Sequence, residues 1–112
     1  MMEVRAVAKY VGVSPQKLRL YAGLVRGRKV EESLGILRLS PSPGARALAK
    51  VVKSAAANAE NNYQMAPADL RVVGVQIDQG ATLKRIRAQA RGRVSPILRH
   101  SSHITVVVDV EG

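Results

Sequence analysis

There is no cysteine among these 112 residues, and that absence removes disulfides, thiolate metal sites and thiol nucleophiles together. Tryptophan and phenylalanine are missing as well. The only aromatics are Tyr10, Tyr21 and Tyr63, so a core must be built from Val, Leu, Ile and Ala, and so few argue against an aromatic stacking platform for single strands. No stretch approaches the run of about 18 apolar residues that a membrane helix needs. Met1-Met2-Glu3-Val4 does not read as a secretory signal, so the expectation is a cytoplasmic protein. Negative charge is scarce: eight acids stand against 18 Lys and Arg, a net charge of +10. That excess goes beyond what solubility needs and implies an acidic partner.

The acids are also unevenly placed. Residues 80–103, GATLKRIRAQARGRVSPILRHSSH, contain none, yet carry Lys84, Arg85, Arg87, Arg91, Arg93 and Arg99. Their apolar members (Leu83, Ile86, Val94, Ile97, Leu98) keep neither a helical nor an alternating period for long, so the segment cannot offset its ordering entropy and charge repulsion by burial. It nonetheless lies between two clear strand patterns, Leu70 to Ile77 and Ile104 to Val110. A connection this long inside a small domain points to function. Gly92, the only glycine between 81 and 103, sits where a chain reversal needs positive φ. Two limbs of roughly 11 residues at about 3.3 Å each would reach on the order of 35 Å. Nothing else in the chain can cover such an arm, and a nucleic-acid backbone has the charge density to order it.

Before the arm, Val4, Ala6, Ala8 and Tyr10 alternate with Arg5 and Lys9, which predicts a first half-buried strand with those four facing inward. Ser14-Pro15 starts a helix whose apolar positions Leu18, Tyr21, Ala22 and Val25 run to Gly27. A second helix is expected from Val30 to Leu39, ended by Ser40-Pro-Ser-Pro-Gly44. A third, the longest, is expected from Ala45 to about Asn62 with a narrow stripe of Leu48, Val52, Ala55 and Ala59. In the following strand Val73, Val75 and Ile77 should share the inner face, with Gly74 marking a bulge or a close approach. Both faces of Ile104–Val110 are rather apolar, which makes it the central strand. The expected fold is α+β: one domain, residues 1–112, in which three helices cover one face of a three-stranded antiparallel sheet (body 1–79 and 104–112), with a long protruding β-hairpin arm (80–103).

His100 and His103 stand i, i+3 on a strand and point to opposite faces, which argues against a metal site. Ser101, Ser102, His103 and Asp109 contain the letters of a catalytic triad, but there is no G-x-S-x-G turn and no glycine-rich phosphate loop, so the reading is a protein that is not an enzyme and needs no cofactor. Basic residues carry the chemistry instead. Residues 1–30 hold seven Lys and Arg against Glu3 alone, and residues 31–80 are neutral. Arg26-Gly27-Arg28-Lys29 and Arg91-Gly92-Arg93 look like basic turns in which glycine lets the backbone approach while arginine forks onto phosphate oxygens. For Arg26, Arg28 and Lys29 the plainer reading is a favourable interaction with a helix C-terminus. Candidate RNA-binding residues on the body are Lys17, Arg19, Arg26, Arg28, Lys29 and the i, i+4, i+7 row Arg46, Lys50, Lys53. On the arm they are Lys84, Arg85, Arg87, Arg91, Arg93 and Arg99. Five arginines to one lysine in the arm suits folded RNA with exposed bases.

Several blocks of sequence, in order, carry a likeness: Ser14-Pro-Gln-Lys-Leu-Arg-Leu20, Leu24-Val-Arg-Gly-Arg-Lys29, Lys53-Ser-Ala-Ala-Ala-Asn-Ala-Glu-Asn-Asn62, Leu83-Lys-Arg-Ile86 with Ala90-Arg-Gly-Arg93, and Ser102-His-Ile-Thr-Val-Val-Val108. With them the chain resembles, from end to end, the bacterial type of the universal large-subunit ribosomal protein twenty-two family. The resemblance implies a structural constituent of the large subunit, bound to the ribosome in the cytoplasm, that binds large-subunit rRNA and assists assembly beside neighbouring ribosomal proteins. It also implies that the tip Gln89, Ala90, Arg91, Gly92 and Arg93 lines the exit tunnel and meets the nascent polypeptide; no membrane partner and no homo-oligomer are expected. Two places depart from the family pattern, Ala81 for a common proline and Ala88-Gln89 for a Pro-Arg pair, which removes a rigid turn element and one charge near the tip. A DNA-architectural protein with a basic β-arm is the alternative. It would be favoured by an apolar wedge at the arm tip, and Gln89 to Arg93 provide none. A cationic membrane-surface protein would need a basic helix with large apolar residues, of which these helices hold few.

Overall fold

The computed structural model describes residues 3–80, 83–88, 94–99 and 101–110. Its elements run β1 (Val4–Val11), α1 (Pro15–Val25), α2 (Val30–Leu39), α3 (Pro43–Tyr63), a single 3-10 turn at Pro67–Asp69, β2 (Leu70–Gln79), β3 (Leu83–Ala88), β4 (Val94–Arg99) and β5 (Ser102–Val110). Strands β1, β5 and β2 form an antiparallel sheet with β5 in the middle, and β3 pairs with β4 in a separate two-stranded ladder. The expected α+β fold is thus present, with the central strand where its two apolar faces require it.

Local chemistry explains the helices. Ser14 stands at the N-cap of α1 with Pro15 in the first turn, where a missing N–H costs nothing; the serine hydroxyl makes no cap bond there. Ser42 does cap α3, its Oγ accepting from the Ala45 N–H at 3.2 Å, so α3 begins at Pro43, two residues before the sequence pattern suggested. Gln64 closes α3 in the left-handed region, φ 53°. Between α1 and α2, Gly27 has φ +84°, a conformation that a side chain disfavours. That turn is tied to β2: the Gly27 N–H donates to Val72 O at 2.7 Å and the Val72 N–H to Arg28 O at 2.9 Å.

The core lies between the helices and one sheet face. Leu18 and Val25 of α1, Leu37 of α2, and Leu48, Val52, Ala55 and Ala59 of α3 are buried against Leu70, Val72, Ile104, Val106 and Val108. Each of the Leu, Val and Ile side chains contributes about 1.5–3 kcal/mol on removal from water. The alanines on α3 keep its contact surface thin where it crosses β1 and β5. Ser33, which no periodicity marks as a core position, is fully buried and its hydroxyl donates to Val25 O at 3.3 Å.

Two inward assignments fail, both at a register shift. In β1 the pairing with β5 jumps between Ala8 and Val11. Tyr10 adopts φ 58° and is 69% exposed rather than facing the core. In β2 the register shifts between Val72 and Gly74. Leu70 and Val72 are buried before the shift and Val75 and Ile77 after it, while Val73 is 46% exposed. One extra residue in a strand reverses the facing of all that follow, which period-two reading cannot anticipate.

The arm continues the β2–β5 hairpin. Gln79 pairs with Ser102, and beyond the root Leu83 pairs with Arg99 and Ala88 with Val94. Three residues separate the two ladders on one side and two on the other, so the register steps by one at the root. There the Gly80 N–H donates to Ser101 O at 2.8 Å, and a Cβ on Gly80 would lie 2.5 Å from Ser101 Oγ. β5 starts at Ser102, two residues before the sequence suggested. The molecule measures 64 × 25 × 19 Å with a radius of gyration of 16.9 Å, against about 13 Å for a compact domain of this length. The expected reversal at Gly92 lies outside the described residues.

Candidate nucleic-acid interface

The proposed RNA-binding side chains fall into three groups. The first lies where α1 and the 26–29 turn meet β2. Because α1 packs on β2, arginines on its flank reach the open edge of that strand. Arg26 Nη2 donates to Val75 O at 2.6 Å and Arg19 Nη2 to Ile77 O at 3.3 Å. Arg28 Nε donates back to Leu24 O at 2.8 Å, satisfying a carbonyl at the end of α1, and Arg28 Nη1 stands 3.9 Å from Glu32 in an exposed pair, worth at most about 1 kcal/mol. The plainer reading therefore holds for Arg28, which caps a helix. Lys29 lies beside Arg71 through an antiparallel bridge, and Arg71 Nη1 donates to Gly27 O at 3.3 Å. Lys17 stands apart, lining a hollow of about 380 Å³ with Leu20, Tyr21 and Pro43.

The second group is on α3. Arg46, Lys50 and Lys53 are all exposed, but they do not act as one row. Arg46 and Lys53 line a groove of about 360 Å³ between α2 and α3, floored by Leu34, Leu37 and Ala49 and completed by Arg38; Lys50 is not among its walls. Arg38 and Arg71 were missed in the sequence. Each is a lone cation in its own stretch, and only tertiary packing sets it beside others.

The third group is the arm. Lys84, Arg85 and Arg87 lie on β3 and Arg99 on β4, opposite Leu98, Ile97, Ser95 and Leu83 respectively. Arg91 and Arg93 lie outside the described residues, as do Gln89, Ala90 and Gly92 of the tip, together with Ala81 and His100.

Three of the four triad letters have structural partners. Ser102 Oγ is buried and donates to Val13 O at 2.6 Å. His103 Nδ1 accepts from the Tyr10 N–H at 3.1 Å, the rings meeting edge to face at 4.9 Å. Asp109 Oδ1 accepts from the Val110 N–H at 2.7 Å. Among the described residues no three His, Cys, Asp or Glu side chains cluster as metal ligands do. Among the described residues, no helix is long and apolar enough to cross a membrane.

Comparison with known proteins identifies the family. Residues 6–109 match the model of the family described as ribosomal protein L22p/L17e. The chain is 59% identical over 107 residues to large ribosomal subunit protein uL22 of Dehalococcoides mccartyi, covering 96% of this chain and 98% of that one. It is 52% identical over 108 residues to the protein of that name from Herpetosiphon aurantiacus, covering 96% of each, and 53% identical over 107 residues to that from Desulforamulus reducens, covering 96% and 95%. With the family model spanning nearly the whole sequence and relatives above half identity at matching length, the chain belongs to the ribosomal protein L22p/L17e family, whose members are structural rather than enzymatic.

Proposed function

We propose that this chain is a constituent of the large ribosomal subunit that binds large-subunit rRNA with its body, threads its arm between RNA helices to fix their placement during assembly, and presents the hairpin tip to the nascent polypeptide at the exit-tunnel wall. The observation that carries the reading is the arm: limbs that extend the β2–β5 hairpin in a ladder of their own, in a stretch with six cations and no acid. Two strands alone are marginal in water, and like charges along them add repulsion. Threading between RNA phosphates supplies both the counter-charge and the missing walls. The relatives' common name supports the placement in the large subunit. The monomer is the working unit, and ribosomal neighbours provide the protein contacts.

Sedimentation of a lysate through a gradient, at low salt and after a wash of about 0.5 M monovalent salt, tests this. A binder held only by phosphate contacts loses orders of magnitude in affinity over that change. The expected result is that the protein stays with the large subunit through the wash, because a threaded arm must be unthreaded as well as desalted. Release at moderate salt, or migration with the nucleoid, would overturn the reading and favour the DNA-architectural alternative.

A further inference from the structure

Each arginine anchored on β2 stands beside a concavity, and together they describe a path. On the open face of the sheet, Arg5 and Arg26 rim a dish of about 370 Å³ floored by Val73, Thr105 and Val107. Further along β2, Arg19 lines a second hollow of about 200 Å³ with Ser14, Gln16 and Gln79. Neither hollow has an acid among its walls. The carbonyls that hold the two guanidinium groups, Val75 and Ile77, are two residues apart on one edge. They are therefore about 7 Å apart, a step comparable with that between neighbouring phosphates of one extended strand. Gln79, at the far end, is one residue from Gly80 and the root of the arm.

An arginine has five N–H donors in a rigid fork. Here one Nη of each is fixed on a strand carbonyl, while Arg19 and Arg26 both remain exposed, so further N–H groups are available to solvent. Anchoring in this way takes up the ordering entropy of the long side chain before any ligand arrives. Lys50, by contrast, is exposed and lines neither these hollows nor the α2–α3 groove. The one acid on β2, Asp78, is exposed and accepts from Gln76 Nε2 at 3.3 and 3.2 Å.

We propose that the α1–β2 seam is a phosphate track: a single RNA strand runs along the β2 edge from the Arg5–Arg26 dish, past Arg19, to the root of the arm, its successive phosphates gripped by the two carbonyl-anchored guanidinium groups. The track presupposes the RNA-binding reading above and adds to it a site, a direction and a ligand form, one unpaired strand rather than a duplex groove.

The test measures binding of the full chain to purified large-subunit rRNA over about 0.05–0.5 M salt. For the R19A/R26A double variant the salt slope should fall by two phosphate contacts, roughly 1.4–1.8 in log units. R19K/R26K should keep the slope, since the charges remain, but lose affinity several-fold, since lysine cannot fork. A double alanine variant that melts earlier while keeping the wild-type slope would show that these arginines only cap the strand edge, and would overturn the track. Because the natural chain has no cysteine, Gln76→Cys and Gln79→Cys each give one attachment point for a tethered hydroxyl-radical probe, and these decide the matter even if the alanine variant does not fold. Cuts from the two positions at adjoining nucleotides of one strand support the track; cuts in unrelated segments, or none, overturn it. A wild-type chain without salt-dependent affinity for the rRNA would instead sink the RNA-binding reading itself.

Discussion

Gly27 shows how much one residue settles. Its φ of +84° lets the chain leave α1, and its N–H bond to Val72 O sews the turn to β2, which in turn sets where Arg26 and Arg28 stand. A Cβ there would meet no atom within 4 Å, so the cost of Gly27→Ala is conformational alone, about 1 kcal/mol. That corresponds to a melting temperature lower by about 4 °C for a domain of this size. Gly27→Asn should recover part of the loss, since asparagine tolerates the left-handed region. Thermal melts of the two variants check this, and an unchanged midpoint for the alanine variant would mean that the turn relaxes to negative φ. Ser102 is another such position: a buried hydroxyl bonded to Val13 O joins β5 to the turn before α1, and what reads in sequence as a candidate nucleophile is a structural tie.

Among the elements, α3 is the one whose dimensions matter most. Ala45, Ala55 and Ala59 are fully buried beside Leu48 and Val52, so the helix approaches the sheet with little between backbone and strand. Ala55→Leu should therefore overpack the interface and cost about 1–3 kcal/mol, whereas Ala57→Leu, on an exposed position, should leave the denaturant midpoint nearly unchanged. Equal effects at 55 and 57 would contradict this packing. The helices were legible in sequence because their signals are local: Pro15, Ser42 and Pro43, Gly27, and an apolar stripe at helical spacing. The β bulges were not, because the steps at Ala8–Val11 and Val72–Gly74 exist only relative to β5, a partner distant in the chain. The basic site was half legible for the same reason. Residue type and net charge named Arg19, Arg26, Arg46 and Lys53. Anchoring of the first two on Val75 and Ile77, and the joining of Arg38 to the last two, depend on which elements pack together.

At the scale of the whole molecule, the proposed function places folding in the body and most of the RNA affinity in the arm. The body has a core, buried hydroxyls with partners and a capped α3, while β3 and β4 form a ladder outside the three-stranded sheet. Deleting residues 84–99 takes away six positive charges and no negative one, and leaves β2 and β5 joined by a connection of ordinary length. Shortening that loop lowers its closure entropy slightly. The truncated chain should therefore melt cooperatively within a few degrees of the full chain, while its affinity for large-subunit rRNA falls steeply and its salt slope shrinks by several contacts. The body alone should still bind RNA weakly, through the α1–β2 seam and the α2–α3 groove, because those cations are positioned by the core and not by the arm. Calorimetry and salt-dependent binding on the same preparation separate the two quantities. Loss of the cooperative transition would show that the Gly80–Ser101 root is part of the folding unit, and full retention of affinity would show that the arm's charges are not what holds the protein to RNA.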